Sequence, residues 1–389
     1  MKILHCCLSM FYIDGYSYQE NILPREHKRM GHEVKIITST ETFKHGGGLT
    51  YLKPSKYLNE DNIEVIRLPY LRILPHYIMT KLRIYKGLKK ELKDYSPDII
   101  FLHSTSFMGI KVITNYKKKN KHVRIIVDNH DDFINSARNF FSKNLLHRLI
   151  YKPCTKIIEP YAEVFWGVTL SRCDFLANMY GVKRDKIKLL VMGVEDDKVE
   201  FAKNNANQLR STNEIKKADF VIVTGGKIGL QKKQTLMLMN AVRKLGISDI
   251  KLIIFGSIAK ELKDEFFSLV DGKYIKYVGW ISPDESYLYF SLADLVVFPS
   301  THSVFWEQVV GQGKPMLCKY WEGMTHVDIG GNCRFLYEDT EDELKSHISD
   351  LYHNREKLDS MKKVAEEKGM SVFSYREIAK RSIFYDSSF

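Results

Sequence analysis

At 389 residues the chain is long enough for two domains of about 150–200 residues each. It is 44% hydrophobic and 27% charged and holds no apolar run of about 18 residues, which fits a soluble globular protein and excludes a transmembrane helix. The net charge of +12 sits wholly in the first half: residues 1–196 hold 32 Lys+Arg against 20 Asp+Glu, whereas residues 197–389 hold 27 of each. Such a basic half suits an anionic membrane or lipid phosphate, or else is a solvated lysine-rich surface. No helix-turn-helix, RRM or zinc pattern supports nucleic-acid binding. The N-terminal run MKILHCCLSMFYI has one lysine and no small-residue cleavage site, and reads as a core strand rather than a signal peptide. The six cysteines (Cys6, Cys7, Cys154, Cys173, Cys318, Cys333) form no CxxC pair and no metal-ligand spacing, as expected of reduced core thiols in a cytosolic protein.

In chain order, residues 2–10 predict a strand, a Gly-containing turn follows, and 19–30 predict a helix closed by Gly31-His32. Glu33 to Ile37 is a second strand, completing a βαβ unit. Lys44 to Leu58, with Gly46 to Gly48, reads as a mobile loop, and Ile63 to Leu68 as a strand. Ile78 to Tyr95 predicts one basic amphipathic helix. Strands at 98–103 and 123–128 flank a helix at 110–118, and the second ends in Asn129-His130-Asp131-Asp132. A helical region spans 145–162, a short strand 167–170, a helix 173–180 and a strand 187–191.

Asp196 to Lys216 is polar and Asn-rich and reads as a linker with a lead-in helix, so the domain divide is placed there. A second α/β series follows, with strands at 220–224, 250–255, 275–278, 295–298, 316–318 and 333–336. Within it, Leu295-Val296-Val297-Phe298, a polar turn over Pro299 to Ser303 and a helix starting near Ser303 present backbone N–H groups in the manner of an anion site. An ordinary βα unit with a capping serine has the same pattern. Three helices close the chain. Two alternating series imply an α/β protein of two doubly wound, Rossmann-like domains facing a cleft.

The motif order resembles a GT-B glycosyltransferase, specifically glycosyltransferase family 4, which includes capsule and lipopolysaccharide sugar transferases. Gly31-His32-Glu33-Val34 is similar to the family's GHEV signature. Ser171 and Gly193-Val194-Glu195 stand where it has a serine and an NGVD turn. Gly226-Lys227 with Lys232 is similar to its GR…K pair, Gly279-Trp280-Ile281 to its G-x-v turn, and Phe298-Pro299-Ser300 with Gly313-Lys314-Pro315 to PS…G-x-P. The resemblance implies an N-terminal acceptor domain, 1–195, with a C-terminal helix, 372–389, crossing back to it, and a donor domain, 196–371. The family's two-glutamate motif is absent: aligned on Pro315, its second glutamate falls on Gln308 and its first on Ser300, with Glu307 one position early. Glu307 or Gln308 is left to take the ribose, and Glu322 or His326 to replace the missing donor-sugar contact.

A nucleotide leaving group needs cations and N–H donors aimed at its phosphates. Lys227, Lys232 and the turn His302-Ser303-Val304 are the candidates, with Gly15 allowing close backbone approach and Trp280 a ring to stack. His130 ends a strand, where open α/β sheets bind ligands, and the resemblance makes it a sugar-hydroxyl ligand. Asp131 or Asp132 is expected to orient it, and Glu307 is a further catalytic candidate. The pairs Asp131-Asp132 and Asp196-Asp197 lack further oxygen ligands, so no metal and no cofactor are expected. The expected activity is transfer of a sugar from a nucleotide-sugar donor, UDP-linked, to a lipid-linked or polysaccharide acceptor at the inner membrane face, and the resemblance implies retention of configuration. Alternatives are a UDP-GlcNAc 2-epimerase of the same fold and a non-catalytic nucleotide-sugar-binding protein.

Overall fold

The computed structural model describes residues 1–43, 48–133, 136–137, 139–230 and 233–385. Its central strands are short apolar runs buried on both faces, such as Ile99–His103 and Leu295–Phe298, as parallel strands covered by helices must be. The chain divides into two units: Met1–Leu190 with the chain from Ala379 onward, and Val191–Ile378.

In the first unit, β1 (Lys2–Cys7), α1 (Gln19–Arg29) and β2 (Glu33–Ser39) form the expected βαβ. The hairpin β3 (Glu41–Phe43) and β4 (Leu49–Tyr51) follows, then β5 (Ser55–Leu58) and β6 (Glu64–Leu68). Next come α2 (His76–Leu82), α3 (Leu88–Tyr95), β7 (Ile99–His103), α4 (Ile110–Lys119) and β8 (Arg124–Asn129). A π-helix (Phe141–Tyr151) runs into α5 (Lys152–Ile158), followed by β9 (Val164–Gly167), α6 (Leu170–Asn178) and β10 (Ile187–Leu189). Apart from the β3-β4 pair, the strands of this unit form one sheet in the order β10-β9-β8-β7-β1-β2-β6-β5, all parallel except β5, which pairs antiparallel at the edge. Strand order therefore reverses between β1 and β7, the place where open α/β sheets leave a crevice at their carboxyl ends.

The second unit begins with α7 (Asp196–Thr212) and β11 (Phe220–Gly225), then α8 (Gln234–Leu245), β12 (Ile250–Phe255), α9 (Lys263–Leu269) and β13 (Ile275–Tyr277). It continues with α10 (Pro283–Ser291), β14 (Leu295–Phe298), α11 (Phe305–Gly311), β15 (Met316–Lys319) and β16 (Cys333–Leu336). It closes with α12 (Glu341–His353), α13 (Arg355–Phe373) and α14 (Tyr375–Ile383), whose last residues belong to the first unit. The order β13-β12-β11-β14-β15-β16 is wholly parallel and reverses between β11 and β14.

Several local expectations are corrected. The single helix at 78–95 breaks at Arg83 and Gly87, both left-handed, because Leu71 N–H donates to the Ile84 carbonyl (2.8 Å) and Lys86 N–H to Pro69 (2.9 Å). Tertiary pairing there outweighs helix propensity. Of the expected loop at 44–58, residues 44–47 lie outside the described residues, and the rest holds β4 and β5. Edge strand β5 is tied down by Tyr57, whose hydroxyl donates to Asp14 (2.7 Å) and accepts from Arg67 Nε (3.0 Å). The strand at 167–170 is in fact β9, three residues earlier, because Thr169 leaves the strand to cap α6 by accepting from Arg172 N–H. The polar stretch after Glu195 is one 17-residue helix, α7, with Asp196 and Asp197 in its first turn.

Gly193 has a steric reason: a Cβ there would stand 2.1 Å from the Phe373 carbonyl oxygen. That closeness lets Val194 N–H donate to Phe373 (2.8 Å) and Tyr375 N–H to Val194 (2.9 Å), and Ser374 Oγ donate to Asp196 (2.7 Å). Among the described residues no helix is long and apolar enough to cross a membrane.

Candidate functional site

In the first unit, chemistry gathers at the carboxyl ends of β1, β7 and β8, beside the reversal in strand order. His130 follows β8, and its Nε2 stands 2.9 Å from Asp128 Oδ1 and 4.0 Å from Glu20 Oε1. Asp128, not Asp131 or Asp132, is thus the carboxylate that orients His130. Side chains two apart share a face of an extended chain, which puts 128 and 130 together and sends 131 elsewhere. Asp131 is buried among hydroxyls instead, accepting from Ser136 (2.7 Å), Ser106 (3.0 Å), Ser104 (3.2 Å) and Tyr180 (3.3 Å). Asp132 faces Arg172 Nε at 3.3 Å.

Burial opposes charge on Asp128, yet His130 and His103 hold its carboxyl well below the usual carboxylate range. Burial also works against His130, and the Asp128 and Glu20 carboxylates outweigh it, raising its pKa with Arg172 opposing. Asp128 Oδ2 further accepts from Gln19 Nε2 (3.2 Å) and contacts His103 Nδ1 (3.2 Å). Sequence reasoning missed Asp128, His103, Gln19 and Glu20. The available signal was a charged residue at the end of the apolar run Arg124–Asn129 and a histidine ending the apolar run Ile99–His103. Gly15 is left-handed (φ +74°) in the β1–α1 loop, with open space at its missing Cβ and its N–H donating to Glu60 (2.9 Å).

The second unit gathers its candidates at the reversal between β11 and β14. Lys227 is exposed just after β11, following Gly226 (φ +119°), while Lys232 lies outside the described residues. The helix after β14 begins at Phe305, two residues later than expected, and is seven residues long, so its dipole is small. Ser303 Oγ accepts from Phe305 N–H at 3.4 Å, and Val304 is exposed.

Behind this turn Glu307 is fully buried, and its Oε1 takes His302 Nε2 at 3.0 Å and His326 Nε2 at 2.9 Å. Burial opposes its ionisation, but the two imidazoles hold its pKa far below the ordinary value. The His302 ring packs edge-on against Trp306 at 5.0 Å. Glu307 therefore faces inward, onto histidines, and Gln308 is occupied too, donating from Nε2 to Ser286 Oγ at 2.9 Å. Both side chains lie in the buried turn of α11. His326 works with Glu307, whereas Glu322 and Trp280 (71% exposed) stay in solvent.

The ligand atoms of His302, Glu307 and His326 lie within 4.8 Å of one another and could hold a divalent ion. A metal-bound histidine needs an acceptor for its other ring N–H. Among the described residues the buried Nδ1 of His326 has no hydrogen-bond partner, which favours Nε2–H donated to Glu307 instead.

Residues 23–198 match the sequence profile of Glycosyltransferase Family 4. Alpha-monoglucosyldiacylglycerol synthase of Streptococcus pneumoniae (strain ATCC BAA-255 / R6) is 22% identical over 302 residues, 74% of this chain. The match spans 63% of that relative's length. Among solved structures, a glycosyltransferase from Rickettsia africae ESF-5 superposes with a TM-score of 0.69 at 15% identity, over 98% of this chain and 96% of its own. Anabaena HepE, in complex with UDP, superposes with a TM-score of 0.66 at 15% identity, over 98% of both chains.

Proposed function

We propose, from a GT-B fold and a Glycosyltransferase Family 4 sequence over residues 23–198, that this chain is a glycosyltransferase. It moves a sugar from a UDP-linked donor to a lipid-linked or polysaccharide acceptor, with retention, in surface polysaccharide biosynthesis. The observation that carries the reading is the polar cluster at the β11/β14 reversal: exposed Lys227, the turn 300–304, and the Glu307-braced pair His302 and His326. Lys227 and backbone N–H groups of the turn meet the pyrophosphate, and the imidazoles stand beside the donor sugar. The donor is held without a metal, since cations and amides supply the charge. In the first unit His130, held by Asp128, binds a sugar hydroxyl. The name of the pneumococcal relative and the UDP held by HepE support the choice of lipid-linked acceptor and of nucleotide.

The acceptor side also favours an anionic membrane surface. Phe140, Phe141, Leu145 and Leu149 are 51–75% exposed on and beside the π-helix, at a spacing of about one turn. Exposed Lys143 and Arg148 flank them, in the half of the chain that carries the whole net charge. Apolar side chains with basic neighbours suit insertion among anionic headgroups.

The test is UDP release from UDP-sugars with and without vesicles carrying a glycolipid acceptor, paired with thermal shift by UDP. Acceptor-dependent release is expected, and UDP protection that Lys227→Ala abolishes. Epimerisation of UDP-GlcNAc without acceptor, or UDP protection with no turnover on any donor, would replace the transferase reading with one of its rivals.

A further inference from the structure

The carboxyl edge of the first sheet holds more than the His130 cluster. Beyond β2 and β6 lies a cavity of about 480 Å³, bounded by Thr40 after β2, by Tyr51 and Leu52 at the end of β4, by Pro69 after β6 and by Met79 on α2. All its lining residues fall between positions 40 and 79, inside the first unit. Eight of the eleven are Leu, Pro, Met or Tyr. Ring contacts fix the wall: His76 stands edge-on to Tyr51 at 4.6 Å and to Tyr70 at 5.7 Å. A cavity of that size suits a ligand rather than one water, and its lining favours an apolar guest. A saccharide has hydroxyls on every side, and three polar lining residues cannot pair them.

Two connections tie the cavity to the rest of the unit. Strands β1, β2, β6, β7 and β8 are parallel, so the cavity shares the carboxyl edge with His130. Arg83, which closes α2, donates to the Ser106 carbonyl (3.0 Å), and Ser106 Oγ donates to Asp131 (3.0 Å), the neighbour of His130 in the chain. The same end of α2 meets the π-helix: the Tyr151 hydroxyl donates to the Lys81 carbonyl (2.8 Å), and the Arg83 guanidinium lies 5.7 Å from the centre of the Tyr151 ring. Leu52 and Leu74 line the cavity yet are 45% and 47% exposed, which puts them at its mouth; Ile73 and Tyr77, near Leu74 in the chain, are 63% and 72% exposed. Exposed apolar side chains gathered in this way mark an interaction site. The charge around them has one sign: residues 65–90 hold seven Lys+Arg and no Asp or Glu. Glu41, whose carboxyl faces Lys81 and His76, is buried.

We propose that this cavity binds one hydrocarbon chain of an anionic amphiphile, the chain inside among Tyr51, Tyr70 and Met79 and the head group outside beside Arg72 and Lys81. The cavity removes the chain from water, and the basic stretch attracts the charge. Under the function proposed above, on which this role rests, the amphiphile is the acceptor. It is drawn from a membrane surface beside the π-helix and held at the sheet edge that carries His130. That narrows the acceptor to a lipid-linked one and excludes a free polysaccharide.

Calorimetric titration of the full chain with n-alkyl phosphates of about four to twelve carbons reads the site without turnover. Affinity is expected to rise about fourfold for each methylene added and to level off once the cavity is full. Affinity independent of chain length would leave only phosphate on surface cations, and a rise without saturation would mean adsorption on an open patch; either overturns the proposal. Dodecyl phosphate carrying a terminal diazirine is expected to label residues 40–79 on irradiation, and label confined to the π-helix overturns it. Neither measurement needs a variant. Leu74 is 47% exposed, so Leu74→Asp leaves the core intact. It is expected to lower the affinity for decyl phosphate by about tenfold, because the chain must then pass a charge at the mouth. Thermal protection by UDP should stay as in the wild type. Unchanged decyl phosphate affinity in folded Leu74→Asp overturns the proposal too. Saturable, chain-length-limited binding in a protein that releases no UDP from any donor would sink the function proposed above and leave the chain site standing.

Discussion

Replacing Glu307 by glutamine tests whether the cluster at the β11/β14 reversal is an ionic brace. The amide has the shape of the carboxylate, so packing around α11 is kept and only charge is lost. In the wild type one buried oxygen accepts from His302 at 3.0 Å and His326 at 2.9 Å. Hydrogen bonds to a charged group contribute about 1.5–3 kcal/mol each, against about 0.5–1.5 for neutral ones. Two such bonds weakened together predict a loss of about 2–3 kcal/mol at pH 7. For a domain of this size that lowers the midpoint by about 4–12 °C. The Glu307 pKa is depressed, so its contribution is present above the ordinary glutamate value and fades as pH falls toward the folded one. The gap between wild type and Glu307→Gln should therefore narrow below about pH 4. Urea unfolding of both proteins at pH 7 and at pH 3.5 reads both effects. Equal stability at pH 7 would show that the carboxylate is not held ionised by the two rings, and the brace would be discarded.

Acid should weaken the first unit earlier than carboxylates alone predict. His5 and His27 have lowered pKa values, so the unfolded chain takes up protons below about pH 6.5 that the folded chain refuses. Stability is then lost as pH falls, by about 1.4 kcal/mol per pH unit for each histidine. His130, raised instead, acts in the other direction, its contribution fading only as pH rises through its folded pKa. Unfolding free energies measured in steps from pH 7 to pH 5 should decline steadily; a flat profile would refute the buried neutral pair. Gly193→Ala should cost about 3–5 kcal/mol, because its methyl group must displace the Phe373 carbonyl and break two backbone hydrogen bonds. A loss under 1 kcal/mol in chemical denaturation would show that the contact yields freely.

Periodicity carried much of the architecture. Apolar runs of strand length alternating with amphipathic segments were enough to place two parallel α/β series, since both signals depend only on neighbours in the chain. Where contacts from elsewhere intervene, the reading slipped. The helix at 78–95 broke because residues 69–71 pair with 84–86, and α11 began late because Ser303 and Val304 belong to the turn. The candidate positions His130, Lys227 and the turn after β14 were legible because strand ends mark where such sheets bind ligands. What each side chain does there was not.

Residues 5, 27 and 103 meet across separations of 22 and 98 positions, and no local pattern announces that three histidines will share protons. The choice of Asp128 over Asp131 came from the alternation of an extended strand, and the inward turn of Glu307 and Gln308 from helices packed against α11. The sequence alone determined the two alternating series of strands and helices and their order, because hydrophobic period is written in adjacent residues. Only the tertiary structure decided which carboxylate serves which histidine, because burial and proton sharing arise where distant strands come to lie side by side.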